Sequence, residues 1–177
     1  MHQDEGVSHE GEGAVRAVDD GLGQGVRSDE EAMEIALAEA ALAGEHADVP
    51  IGAVVVRSGV VVARRHNERE RTGDPTAHAE VLALRDAARV VGGWRLGGCT
   101  LYTTVEPCPM CAGAVLAARV ERVVFAAADP KAGACGSLYN LLADPRLNHE
   151  PELLAGVLAG PAASLLEAFF ATRRTSR

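Results

Sequence analysis

Apolar and polar positions along the chain switch between two periods, and each switch marks an element. A helix rich in Ala and Glu is predicted from Ser28, which stands three residues ahead of Glu31 in capping-box spacing, to about Ala43. Gly44 and Pro50 bracket its exit. The β-branched runs Ile51 to Arg57 and Val60 to Arg65 flank Ser58-Gly59, a two-residue hairpin signal. A polar loop follows from His66 to Pro75, and from Ala77 to about Val91 the spacing turns helical, with Val81, Leu84, Ala88 and Val91 on one side. Cys99 to Val105 predicts a short strand, Pro109 to Ala118 a helix, and Val120 to Ala127 another strand. Residues 129–149 read as a long loop with a helical turn near Leu138 to Leu142. Leu153 to Leu158 reads as a last short strand, and Ala162 to Arg174 as a closing helix striped by Leu165, Leu166, Phe169 and Phe170. A hairpin, then helix–strand–helix–strand and a final helix, predicts an α/β layered fold whose later strands are parallel.

The length of 177 residues fits one domain. Aromatic residues make up only 3% of the chain, so the core must be built from Ala, Val and Leu. Residues 1–27 break the pattern: they hold six glycines, six acids and two arginines and have no apolar period. They read as a disordered acidic, Gly-rich extension ahead of a domain at 28–177. The extension carries −4 of the net charge of −8, leaving a mildly acidic body. No overall field draws such a protein to nucleic acid, so a DNA partner is not expected, although a local basic site is compatible with the balance. Runs of apolar or Gly residues in the body, such as Ala112 to Ala118, are far short of the ~20 that a membrane span needs. The N-terminus lacks the apolar centre of a signal peptide. The four cysteines, at positions 99, 108, 111 and 135, are therefore expected to be reduced thiols in a cytoplasmic protein.

Two short segments carry the chemistry. One reads His78-Ala79-Glu80; the other, about thirty residues on, reads Pro107-Cys108-Pro109-Met110-Cys111. Each follows a loop and opens a predicted helix. Cysteines three apart near a helix start can aim both sulfurs at one point, and the positive helix end favours thiolates there. One His nitrogen and two thiolates make a three-ligand zinc site, which leaves the fourth position to a water that ionises near neutral pH. Glu80, two residues after the His, would stand beside that water without being a ligand. A bare C-x-x-C also suits a redox pair, but the thioredoxin-like context is missing. A structural zinc completed by Cys99, Cys135 or another His, and a simple core role for His78, are the other readings of these residues. H-x-E followed by P-C-x-x-C is the signature of zinc nucleobase deaminases.

Beyond that signature the sequence resembles the bacterial tRNA-specific adenosine deaminase family from about residue 28 to the C-terminus. The matching stretches are Val49 to Val54, Asn67, Asp74 to Glu80, Leu101-Tyr102, Glu106 to Ala114 and Arg122 to Phe125. Asp129-x-Lys131-x-Gly133, Gly136-Ser137 and Asn148-His149 follow in that family's order and spacing, and favour it over free-base deaminases that share the zinc motif. The acidic extension, the thiol at Cys135 and a short basic tail depart from the pattern. The resemblance implies a three-layer α/β/α cytidine deaminase-like fold with a five-stranded mixed sheet, and a homodimer. It implies one zinc per subunit on His78, Cys108 and Cys111, with Glu80 as proton shuttle. It implies a tRNA anticodon stem-loop as partner and conversion of the wobble adenosine of an arginine tRNA to inosine. Asn67 and the backbone near Ala79 would hold the adenosine, while Asp129, Lys131 and the loop around them would lie along the anticodon.

Other residues have plainer readings. Arg173 and Arg174 close a helix where the dipole favours cations, and are also candidate phosphate contacts. Trp94 is expected to pack, and Cys99 to be a thiol buried in its strand. Two further functions use the same residues: a free nucleobase or nucleoside deaminase, and a zinc-stabilised interaction domain. In the latter, Glu80 would have no duty.

Overall fold

The computed structural model describes residues 22–174. Helix α1 spans Asp29–Glu45, and the hairpin strands β1 and β2 span Gly52–Arg57 and Val60–His66. A one-turn helix α2, Arg69–Thr72, precedes α3 at Ala79–Val91. Then come β3 at Cys99–Val105, α4 at Pro109–Ala118 and β4 at Arg122–Ala127. A 3₁₀ turn at Leu141–Ala143, β5 at Glu152–Ala155 and α5 at Ala159–Arg174 complete the chain. The sheet order is β2-β1-β3-β4-β5. Strands β1 and β2, and β1 and β3, pair antiparallel; β3 with β4 and β4 with β5 pair parallel, as the intervening helices require. This is the expected five-stranded mixed sheet in an α/β/α sandwich.

Strand residues alternate between two cores. Ala53, Val55, Leu101, Val123 and Phe125 face α3 and α4, whereas Val54, Val56, Tyr102, Val124 and Ala126 face α1 and Ala162 of α5. The Ser58-Gly59 turn has φ of 51° and 73°, the positive pair that a tight hairpin needs to match strand twist. Ser28 caps α1 by accepting from the N–H of Glu31 at 3.2 Å. The Glu31 carboxylate reaches one residue beyond the usual box and accepts from the N–H of Arg27 at 2.9 Å. The first turn of α1 is tied to the sheet by Arg122, whose guanidinium bridges Asp29 and Glu152 at 2.6 and 2.9 Å.

Several expectations change. Gly23, Gln24 and Val26 exchange backbone hydrogen bonds of 2.8–3.0 Å with Gly59 and Val61, so residues 22–27 line the outer edge of β2 rather than belonging to a loose extension. An edge strand offers unpaired backbone groups, and this segment covers them; residues 1–21 of the expected extension lie outside the described residues. Trp94 is 59% exposed, with Arg95 over its ring at 4.7 Å, because Gly92 ends α3 at φ 78° and turns the chain outward. Leu96 fills the core in its place. The buried face of α3 is Ala79, Ala83, Leu84 and Ala87, displaced from the expected stripe, with Ala88 and Val91 packing at its flank. In α5 only Ala162 is buried, and Phe170 is 45% exposed. Among the described residues, no helix is long and apolar enough to cross a membrane.

Helix α1 meets β1 through its alanines. A Cβ built on Gly52 would lie 1.9 Å from the Ala36 carbonyl oxygen and 2.6 Å from the Ala40 nitrogen. Both are backbone atoms that no rotamer change can move. Gly52→Ala is therefore expected to destabilise the fold by about 3 kcal/mol, the upper range for overpacking. At this chain length that corresponds to a fall in Tm of roughly 6–12 °C. A thermal melt with a drop below about 2 °C would mean that α1 slides freely on the sheet.

Candidate metal centre and active site

Helices α3 and α4 start side by side, at the end of the sheet where β3 runs out. His78 and Cys108 are their N-cap residues, with φ of −73° and −72°, and neither is capped by its own side chain. Pro109 fills the first turn of α4, where its missing N–H costs nothing. The side chains converge. His78 Nδ1 lies 3.7 Å from Cys108 Sγ and 3.5 Å from Cys111 Sγ, and the two sulfurs are 3.6 Å apart. Metal–sulfur bonds of ~2.3 Å and metal–nitrogen bonds of ~2.0–2.1 Å at tetrahedral angles separate such donors by about 3.5–3.8 Å. The donors thus fit one tetrahedral zinc with a fourth position open. Among the described residues, this is the one group of three or more His, Cys, Asp or Glu side chains placed to share an ion.

Electrostatics favours the anionic ligand. The Cys111 thiol beside it draws Cys108 down to about 4, against the opposing effect of burial, and the His78 ring adds to the pull. Cys111 is pushed up by the Cys108 sulfur and then by burial, since a second charge so close is disfavoured. His78 is raised, first by its hydrogen bond with Cys108. Two helix N-termini aimed at one point help to hold the thiolates.

Glu80 lies in the first turn of α3, 4% exposed, beside the cluster and outside the ligand set. Burial raises its carboxyl above the ordinary range, although its own backbone N–H and the His78 ring pull the other way. A carboxylate that protonates readily next to a metal site is equipped to carry protons. Asn67 is buried at the end of β2. Its Nδ2 donates to the Val49 carbonyl at 3.3 Å, while Oδ1 is buried with no hydrogen-bond partner. An orphaned acceptor of this kind is costly unless a ligand completes it. Ala79, fully buried, is the first residue of α3, where the backbone N–H has no partner within the helix.

The loop after β4 brings Asp129 and Lys131 to the same end of the sheet. Lys131 is exposed. Asp129 Oδ1 instead accepts from the N–H groups of Lys131 and Ala132 at 2.9 and 3.2 Å, so this carboxylate shapes its own turn. A cavity of about 320 Å³ lies between this loop, Val49, Ile51, Val105 and the α5 side chains Leu166 and Phe170. Arg173 donates to the Ala47 carbonyl and lies 4.3 Å over the Phe169 ring, so one of the two terminal arginines is engaged within the fold. Asn148 and His149 are at the far end of α4. Arg119 donates to the Asn148 carbonyl and Oδ1 at 3.1 and 2.7 Å, and His149 Nε2 lies 2.6 Å from the Val120 carbonyl. These two residues tie the β4–β5 connection to the fold and do not reach the metal centre.

Two buried acids, Asp48 and Glu106, received no functional role from the sequence. Asp48, fully buried, accepts from the N–H groups of Glu70 and Arg71 at 2.7 and 3.1 Å and so holds α2 next to Asn67. Glu106, 3% exposed, follows the buried end of β3 immediately before Pro107-Cys108, and an acid in that place is the only hint the sequence offers. Burial alone would raise the Glu106 carboxyl, but hydrogen bonds from the Ser137 hydroxyl and from the backbone N–H groups of Ser137, Asp129 and Cys135 outweigh it and leave it below its usual range.

Comparison with known proteins agrees with this geometry. Residues 26–127 match the family described as the cytidine and deoxycytidylate deaminase zinc-binding region. The chain is 50% identical over 149 residues to the tRNA-specific adenosine deaminase of Bacillus subtilis (strain 168), covering 84% of this chain and 92% of that protein. A structure solved in work on A-to-I editing by tRNA:A34 deaminases at the wobble position is 44% identical, with a TM-score of 0.74 over 76% of this chain and 98% of that one. Guanine deaminase from Nitrosomonas europaea superposes with a TM-score of 0.76 at 25% identity, covering 86% and 90% of the two chains. The three donors are thus a zinc site, and the chain belongs to the zinc-dependent deaminase family, on the branch of the tRNA-specific adenosine deaminases.

Proposed function

We propose that this protein hydrolytically deaminates adenosine to inosine at the wobble position of a tRNA, with the anticodon loop of an arginine tRNA as substrate. The observation that carries the reading is the open three-donor cluster with a buried, non-ligating glutamate beside it, in a chain half identical to a tRNA-specific adenosine deaminase. His78, Cys108 and Cys111 would hold the zinc, which when bound would supply Lewis acidity and lower the pKa of the attacking water to near neutral. Glu80 accepts the proton given up by the attacking water and delivers it to N1 of adenine. Once C6 is tetrahedral, Glu80 takes the proton of the new C6 hydroxyl and passes it to the departing amino nitrogen; the C6–N bond breaks, C6=O forms and ammonia leaves. Asn67 Oδ1 and the N–H of Ala79 supply an acceptor and a donor to orient the base. The target nucleotide must leave its stack to reach the cluster, which an unpaired anticodon base does at low cost. A homodimer in the cytoplasm completes the proposal.

The test is an assay of purified protein on an arginine tRNA anticodon stem-loop, free adenosine, guanine and cytosine, with inosine read directly. Inosine formation on the stem-loop is the expected outcome. Turnover of guanine alone would replace this reading with the free-base activity that the guanine deaminase likeness suggests.

Charge on the RNA side gives a second check. Lys131 is exposed next to the site, whereas Arg173 is held within the fold. Lys131→Ala is expected to lower the salt slope of stem-loop binding by about one unit or somewhat less, with little change from Arg173→Ala. A binding series from low to high salt measures it, and an unchanged slope for Lys131→Ala would make this lysine a plain solvated charge.

A further inference from the structure

The segment from Asp129 to Ser137 is irregular, and the turn that Asp129 shapes for itself accounts only for its start. Its inward-facing amides converge on a single buried carboxylate. Glu106 Oε1 accepts from the N–H of Cys135 at 2.9 Å and of Ser137 at 3.0 Å. Oε2 accepts from the N–H of Asp129 at 3.0 Å and from the Ser137 hydroxyl. The loop passes so close to this carboxylate that a Cβ on Gly133 would lie 2.4 Å from Glu106 Cδ and from Oε2. A second tie runs from the N–H of Ala134 to the Pro107 carbonyl at 2.8 Å. Glu106 and Pro107 directly precede the zinc ligand Cys108. The anchor of the loop and the anchor of a ligand are therefore the same short piece of backbone.

We propose that Glu106 is a positioning residue for the substrate: its carboxylate gathers the amides of the Asp129–Ser137 loop and sets that loop at a fixed distance from the metal centre. The proposal rests on the reading above that this loop borders the RNA. The position is specific for glutamate. Four donors meet two acceptor oxygens, and in glutamine one of those oxygens becomes an NH₂ group. Turned toward Oε2, the amide could still donate to the Ser137 oxygen but would face the Asp129 N–H donor to donor. Turned toward Oε1, it would face two N–H groups. Either orientation loses at least one charge-assisted bond and adds a repulsion. The hydrogen bonds of the Glu106 carboxylate go to the loop and not to His78, Cys108 or Cys111, so its effect is on where the RNA rests, and the proton chemistry at Glu80 is left intact.

The experiment compares the parent with Glu106→Gln and Ser137→Ala, the latter removing one hydroxyl from an exposed residue and so leaving the fold safe. Zinc per chain, kcat, KM on the stem-loop and hydrogen exchange at Asp129–Ser137 are measured on each. For Glu106→Gln the expected result is retained zinc, kcat close to the parent, a KM raised by about 10-fold or more, and faster exchange confined to that loop. Ser137→Ala should move KM and exchange in the same direction by less. Loss of zinc with an unchanged KM in Glu106→Gln would overturn the proposal and make Glu106 a support for Cys108. Unchanged exchange in the loop would overturn it as well. If the parent itself neither binds nor deaminates the stem-loop, the proposed function fails instead, and exchange in the loop still decides whether Glu106 holds it.

Discussion

Glu80→Gln is expected to keep its zinc and its fold and to deaminate about 10²–10⁴-fold more slowly, or worse, because one carboxylate serves several proton steps. The substitution keeps the shape and volume of a side chain that is 4% exposed, so the surrounding core has no reason to move. It removes the ability to exchange a proton. The three donors that define the metal centre do not include Glu80, and metal content should therefore match the parent. Single-turnover kinetics on the stem-loop, alongside metal analysis of the same sample, separates the two quantities. Near-normal turnover would take Glu80 out of the mechanism. A loss of metal together with activity would make it a support for the ligands.

Cys108→Ala is expected to do the opposite and strip the metal first. Three donors within 3.5–3.7 Å of one another become two. Weakening a group that merely orients a ligand already costs about 10–100-fold in metal affinity, so removing a ligand should cost more. Binding energy at such a site is shared with folding, so Tm should fall too, and a chelator should lower the Tm of the parent toward that of the variant. Metal analysis after dialysis is decisive: a variant that still holds one zinc per chain would refute the three-ligand centre.

The parts of this protein that were legible beforehand are those whose signal lies in spacing. The His78-x-Glu80 pair and the Cys108-x-x-Cys111 pair each sit on a helix start, and spacing of that kind survives any detail of packing. Strand β3 and helix α4 were also bounded correctly, because Pro107 and Pro109 punctuate the junction between them. What escaped depends on long-range backbone contacts. Glu106 and Asp48 act on amides 22 or more positions away, and no local period records that. The face of α3 was misplaced because alanines, weak in any hydrophobic tally, are what let it lie close to the sheet. Trp94, between Gly92-Gly93 and the next strand, is expected to pack, yet it follows the left-handed turn at Gly92 and is exposed. Asn148 and His149 follow the family's pattern but serve the architecture, bonded to Arg119 and Val120. Position in a shared motif does not by itself distinguish a contact to substrate from a brace.

The alanine face of α1 against Gly52 has a consequence for how this protein can vary. Ala32, Ala36 and Ala40 are fully buried, and the strand beneath them lies too close for even one added methyl at Gly52. A larger side chain at any of the four has nowhere to go, and a smaller one at the three alanines loses helix propensity. Such a seam is a bottleneck in sequence space. A library of random variants screened for activity would return an island of intolerance along α1 and Gly52, on the opposite face of the sheet from α3 and α4. Improvement of such an enzyme by accumulated mutation has to route around that island, through the exposed surfaces of α3 and α5, where change is cheap.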